Sequence, residues 1–199
     1  APGGTLAALI AKKEPLPEED IKKLLLQLCS ALEHMHAVGM LHRDLKPANI
    51  LLSARGDAKI CDLGLACVVL TGASSGLSKG TGTLAYMSPE KGTGKKYNEK
   101  DDIWALGCIL FELVTLMTTG SLSPAGLFNA LQKIELEVVG AVDAVYPRFG
   151  DFVRAMLAPA AADRPSAADL VRMLRDDGGT EELQQRLAQM EQEAAAKSE

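Results

Sequence analysis

Aromatic residues are scarce in this chain: one Trp, three Tyr and four Phe among 199 residues, 4% in all. A base-stacking platform needs exposed rings, so single-stranded nucleic acid is a poor fit. Positive charge is also short, with 21 Lys and Arg against 26 Asp and Glu and a formal net charge of -5. A nucleic-acid binder normally presents a basic surface, and no nucleic-acid partner is expected. Long apolar runs are missing too; nothing approaches the roughly 18 residues of a membrane span, and no membrane partner is expected. The opening APGGTLAALIAKKEP lacks the basic start and long apolar stretch of a secretory signal. Cys29, Cys61, Cys67 and Cys108 are scattered without a C-x-x-C pair, which disfavours zinc and a disulfide framework and favours free thiols in a reducing, cytoplasmic setting.

What is present suits one well-buried domain, with 47% hydrophobic and 24% charged residues. Leu6 to Ile10 predicts a short helix. Pro15 and Pro17 interrupt, with Pro17 suited to the first position of the next helix. From there Ile21, Leu24, Leu25, Leu28, Leu32 and Met35 recur at three- and four-residue steps, a long helix stopped by Gly39. Two β-prone runs, Asn49 to Leu52 and Ala58 to Cys61, flank Ala-Arg-Gly-Asp, and Gly56 supplies a hairpin turn. Residues 71 to 83 form a loop rich in Gly, Ser and Thr. A helix from about 102 to 118 is apolar nearly all round and belongs at the centre. Three shorter helices, divided by Pro124, Pro147, Pro159 and Pro165, follow to about Arg175. After Gly178-Gly179, Thr180 can cap a polar tail helix striped by Leu183, Leu187, Met190 and Ala194, either docked on the domain or free for a partner.

The chemistry is concentrated in His42-Arg43-Asp44-Leu45-Lys46-Pro47-Ala48-Asn49, then Asp62-Leu63-Gly64, then Ser88-Pro89-Glu90. Together these resemble the protein kinase family, whose catalytic loop reads H-R-D-L-x-x-x-N with D-F-G and A-P-E downstream. The resemblance covers about residues 3 to 175. It implies a mainly α fold with a small β-hairpin, the C-terminal (large) lobe of the kinase fold over residues 1–177, with 178–199 as a helical tail. It implies ATP-dependent transfer of a phosphoryl group to protein Ser or Thr hydroxyls, since Lys46 followed by proline looks like the serine/threonine class.

By that resemblance Asp44 orients the substrate hydroxyl and accepts its proton. A carboxylate of ordinary pKa near 4 is a weak base, so positioning outweighs abstraction. Lys46, alternating to the same side of an extended loop, reaches the transferring phosphate of ATP. Asn49 and Asp62 look like Mg2+ ligands, hard oxygen donors on two loops. Leu51 matches the residue beneath the adenine ring, and is equally a hairpin core leucine. Thr83 falls at the threonine that contacts the catalytic aspartate. His42 reads as a packed core residue. Arg43 matches an arginine that pairs with a phosphorylated activation loop, or makes a plain salt bridge. In the segment Asp62 to Glu90, Ser78 and Thr81, then Ser74 and Ser75, are the candidate phosphosites of what is otherwise an ordinary polar loop. Glu90 should pair with Arg164, and Asp102 should anchor the catalytic-loop backbone or act as a helix N-terminal aspartate. Ile109 and Leu113 would support the adenine floor.

Gly82-Thr83-x-x-Tyr86-x-Ser88-Pro89-Glu90, Tyr97-Asn98-x-Lys100, Asp102-Ile-Trp-Ala-Leu-Gly-Cys and Phe111-Glu112-Leu113 are similar to NIMA-related (NEK-type) kinases. That likeness implies cytoplasmic, cytoskeleton- or cilium-associated placement and microtubule or ciliary protein partners. Two departures stand out. Leu63 replaces the usual phenylalanine, and the residues before His42 contain no Gly-rich phosphate loop and no V-A-I-K lysine. The expectation is therefore a lobe that is inactive by itself, with a kinase-like scaffold or docking module as the alternative, and an apolar surface left bare near Leu51 and Cys61.

Overall fold

The computed structural model describes residues 2–68, 84–94, 98–115, 146–176 and 188. Thr83, Ser74, Ser75, Ser78, Thr81, Tyr97 and the tail 178–199, apart from Ala188, lie outside the described residues, as does any helix between 116 and 145.

The expected short helix is α1, Leu6–Ala11; it starts where Thr5, in extended backbone, accepts the Ala8 N–H on its hydroxyl at 3.1 Å. The long helix α2 spans Glu18–Ala37. Pro17 is its N-cap and not its first helical residue, because its ψ of 145° is extended; Glu18, Glu19 and Asp20 then fill a first turn whose free N–H groups favour negative charge. Gly39, at φ 72°, turns the chain out of α2. Strand β1, Met40–Leu41, follows.

The hairpin is shorter than expected: β2 is Ile50–Leu52 and β3 is Ala58–Ile60, antiparallel, with Leu51 opposite Lys59 and Gly56 at φ 75° in the turn. Asn49 is not in the strand. It closes a 3-10 turn, Pro47–Asn49, because its N–H goes to the Lys46 carbonyl at 2.9 Å. The other edge of β2 is taken by the chain start: the Gly3 N–H donates to the Leu52 carbonyl, the Leu52 N–H to the Gly4 carbonyl, and Thr5 bridges Leu51. Leu51 and Cys61 are accordingly half-buried, not bare, and the exposed apolar side chain near the site is Leu63. From α2, Lys23 and Gln27 reach Asp57 at the hairpin tip, at 2.8 and 3.3 Å. With Ser53 they hold its carboxyl down at about 2. A second pairing, absent from the sequence reading, joins β1 to β4, Cys67–Val68.

The short α3, Pro89–Gly92, leads to α4, Lys100–Thr115, where every residue from Asp101 to Thr115 except Glu112 is buried. This is the expected central helix, started two residues earlier. Its Gly107 is required by packing, since a Cβ there would lie 2.9 Å from the side chains of Met156 and Leu157 on and just beyond α5, Pro147–Met156. The last helix, α6, spans Ala167–Arg175 and opens with a capping box between Ser166 and Asp169. It packs on α2, while α5 packs on α4, around one core that includes Leu28, Leu32, Ile50, Trp104, Ile109, Leu113, Phe149, Phe152 and Leu170. Among the described residues no helix is long and apolar enough to cross a membrane.

Candidate active site

The loop between β1 and β2 is built around His42, which is fully buried. The Asp44 N–H points at His42 Nδ1 at 3.3 Å, so Nδ1 is the acceptor and Nε2 carries the proton. Nε2–H then donates to the Cys61 carbonyl at 3.1 Å. The Cys61 N–H in turn donates to the Asn49 carbonyl at 2.9 Å. The core histidine thus ties the first loop to the residue directly before Asp62.

Asp44, Lys46 and Asn49 form one cluster. Lys46 Nζ donates to Asp44 Oδ2 at 2.6 Å, and its backbone is extended, φ -160° and ψ 162°, which brings alternate side chains to one side. Asn49 Nδ2 donates to the Asp44 carbonyl at 2.9 Å and approaches Asp44 Oδ2 at 3.4 Å. With its nitrogen turned to Asp44, Asn49 Oδ1 makes no hydrogen bond among the described residues. Asp62 is exposed and left-handed, φ 62° and ψ 68°, and among the described residues its side chain accepts a long bond from the Gly64 N–H, at 3.4 Å. A non-glycine residue held there is strained, which is usual where a side chain must be aimed.

Among the described residues no group of three or more His, Cys, Asp or Glu could hold a metal by itself. Asn49 Oδ1 and the Asp62 carboxylate are hard oxygen donors of the kind Mg2+ takes, an ion that keeps waters and phosphate oxygens in most of its positions; Asn49 packs against Asp44, while Asp62 stands exposed on the following loop. Leu51, on β2 one position beyond Ile50, is half-buried beside Thr5. Thr83 lies outside the described residues.

A distant residue anchors this loop, and a second long-range pair ties the segment after it to the last helices. Asp102, in the first turn of α4, accepts the His42 N–H on Oδ2 and the Arg43 N–H on Oδ1, each at 2.9 Å. His36 of α2 reaches the same Oδ2 at 3.0 Å, a contact no local pattern announced. Glu90 meets Arg164 as expected, at 2.7 and 2.9 Å, with the guanidinium fully buried and stacked over Trp104 at 4.8 Å. Burial pushes the Glu90 carboxyl up, but the hydrogen bonds and charge of Arg164 outweigh it and hold the group below its ordinary value.

Two further features were missed. Tyr86 Oη donates to Glu112 Oε2 at 2.9 Å, and burial, with the Glu112 charge, raises the phenol. Lys91 is buried beside Asp101. Next to Lys46, a cleft of about 410 Å³ runs between α1 and the 3-10 turn Leu84–Tyr86, walled mainly by apolar side chains such as Ile10, Pro47, Ala48 and Ala85.

A protein kinase domain model matches residues 1–174. The chain is 34% identical over 167 residues to hormonally up-regulated neu tumor-associated kinase homolog A of Xenopus laevis, covering 83% of this chain and 24% of that protein. It is 34% identical over 168 residues to serine/threonine-protein kinase 36 of Pongo abelii, covering 84% and 12%. It is 34% identical over 179 residues to serine/threonine-protein kinase PknL of Mycobacterium tuberculosis, covering 87% and 44%. The chain therefore spans less than half the length of each of these relatives.

Proposed function

The chain belongs to the protein kinase family, and on that premise we propose that it is the helical lobe of an ATP-dependent serine/threonine protein kinase, with residues 1–177 as that lobe and 178–199 as a tail. The single observation that carries the reading is the Asp44–Lys46–Asn49 cluster, closed by a 2.6 Å ion pair and anchored by Asp102.

In the proposed reaction a Ser or Thr hydroxyl oxygen bonds to the γ-phosphorus of ATP while the bond to the ADP oxygen breaks. Asp44 orients that hydroxyl and takes its proton. Lys46, paired to Asp44 in the resting site, stands beside the transferring phosphoryl group and offsets its negative charge. Mg2+, when bound, neutralises the phosphate oxygens, and Asn49 and Asp62 are the residues that would hold it. Leu51 would face the adenine ring, and Thr83 would steady Asp44. The apolar cleft beside Lys46 suits an extended polypeptide better than a small polar acceptor, which supports protein as the substrate.

The test uses the full-length protein, because the 199 residues contain neither a Gly-rich loop nor a V-A-I-K lysine. Asp44→Asn should lower phosphoryl transfer at least about a hundredfold. Transfer unchanged in Asp44→Asn, or a full-length protein that binds no Mg-ATP, would falsify the reading.

Within the family, the run from Gly82 to Glu90 and the phrase Asp102-Ile-Trp-Ala-Leu-Gly-Cys support a NIMA-related kinase, cytoplasmic and associated with microtubule or ciliary proteins. Imaging of the tagged full-length protein tests this: diffuse signal with no enrichment on microtubules, centrosomes or cilia counts against it.

A further inference from the structure

Lys91 is an unusual group to bury. Its side chain is 5% exposed, in a helix of only four residues, and an ammonium taken out of water is costly unless it is both paired and hydrogen-bonded. It is both. Nζ lies 3.1 Å from Asp101 Oδ2 and 2.5 Å from the carbonyl oxygen of Arg43. The other Asp101 oxygen accepts from Ser88 Oγ at 2.6 Å. Asp101 neutralises the lysine, Ser88 steadies Asp101, and one N–H of the lysine is spent on the residue directly before Asp44.

That residue needs holding. Arg43 has φ 72°, a left-handed conformation that is strained for a non-glycine residue and persists only where its surroundings over-determine it. Asp102 takes the Arg43 N–H, which fixes one side of the residue. On the other side, the Arg43 carbonyl belongs to the peptide that leads into Asp44, and its donor is Lys91. The N–H of that same peptide makes a longer contact, 3.3 Å to His42 Nδ1. The plane of the Arg43–Asp44 peptide sets the direction in which the Asp44 side chain leaves the backbone, so the Lys91 contact bears on where the carboxylate points.

We propose that Lys91 is a positioning residue: its buried ammonium, neutralised by Asp101, fixes the Arg43 carbonyl and through it the orientation of Asp44. Stability alone does not explain the arrangement. A buried ion pair can be replaced by uncharged side chains of similar volume with little loss, but that exchange would leave the Arg43 carbonyl without its charged donor. The effect on rate rests on the kinase reading; the effect on the backbone does not.

The decisive variant is the double substitution Lys91→Met with Asp101→Asn in the full-length protein, compared with Lys91→Met alone. The single variant strands a buried carboxylate and should melt at a lower temperature; the double variant should recover most of that loss. In the double variant, backbone amide exchange at Arg43 and Asp44 should still be faster, and kcat lower by about tenfold, the loss of one charge-assisted hydrogen bond, with the KM for ATP little changed. Wild-type exchange and wild-type kcat in a folded double variant overturn the proposal. A wild-type protein without turnover counts against the kinase reading alone, and the exchange rates then decide. Should the double variant not fold, the Lys91→Met single variant decides: amide exchange at Arg43 and Asp44 should rise by more than it does at the core amides of α4, and a rise no larger than there overturns the proposal.

Discussion

Arg164 and Glu90, seventy-four positions apart in the chain, form a two-pronged ion pair at 2.7 and 2.9 Å, with the arginine side chain fully out of solvent. Arg164 also donates to the carbonyls of Ala158, Pro159 and Lys100, so one side chain joins α3, the start of α4 and the loop before α6. Removing it leaves a half-buried carboxylate and several carbonyls without their donor. Arg164→Ala should lose about 3–5 kcal/mol of stability, read as a lower urea midpoint. Arg164→Lys should recover little of it, because an ammonium cannot span both Glu90 oxygens.

The same pair carries an acid dependence. Glu90 has its carboxyl lowered from 4.5 in the folded chain, so the contribution is complete above 4.5 and is lost as pH falls through the lower folded value. Wild-type stability should therefore drop as pH is taken below 4.5. Glu90→Gln should start lower at pH 7 and show a shallower drop over that acid range. Equal slopes in chemical denaturation below pH 4.5 would show that Glu90 is not the group responsible.

Asp102 is the second long-range tie, accepting two backbone N–H groups of the loop between β1 and β2 and one bond from His36. In Asp102→Asn one acceptor oxygen becomes an NH2 that faces other donors. The variant should lose roughly 2–3 kcal/mol, with kcat falling more than the KM for ATP. Urea titration and steady-state kinetics on the full-length protein check both.

Tyr86 and Glu112 are joined at 2.9 Å along the cleft beside Lys46. Burial raises the Glu112 carboxyl, and the Tyr86 hydroxyl is the donor that offsets this. Tyr86→Phe should cost about 1–2 kcal/mol and raise the KM for a peptide substrate more than the KM for ATP. An unchanged peptide KM would place the pair outside the substrate path.

The candidate cluster was legible in the sequence as a cluster. His42 to Asn49 sit close in the chain, so their spacing already implied that Asp44, Lys46 and Asn49 meet. The hairpin was marked by Gly56, and the central helix by an unbroken apolar run. Two differences were local and one came from a long-range pairing. Asn49 is drawn out of β2 into a turn against Asp44, and Pro17 caps α2 from an extended backbone. The presumed bare patch at Leu51 is half covered because residues 3–5 pair along β2.

The chain's order of residues determined the chemistry available: two carboxylates, an amide and a lysine at spacings that suit phosphoryl transfer, on a mainly helical frame with one hairpin. Only the tertiary structure decided what holds those groups still. Lys91 against Arg43, His36 against Asp102 and Cys61 between His42 and Asn49 join residues far apart in the chain. The reason is physical. Helix and turn preferences act over a few residues and leave a trace in local pattern. A buried polar group instead takes whichever partner the packed core brings within about 3 Å, and no local pattern records that choice.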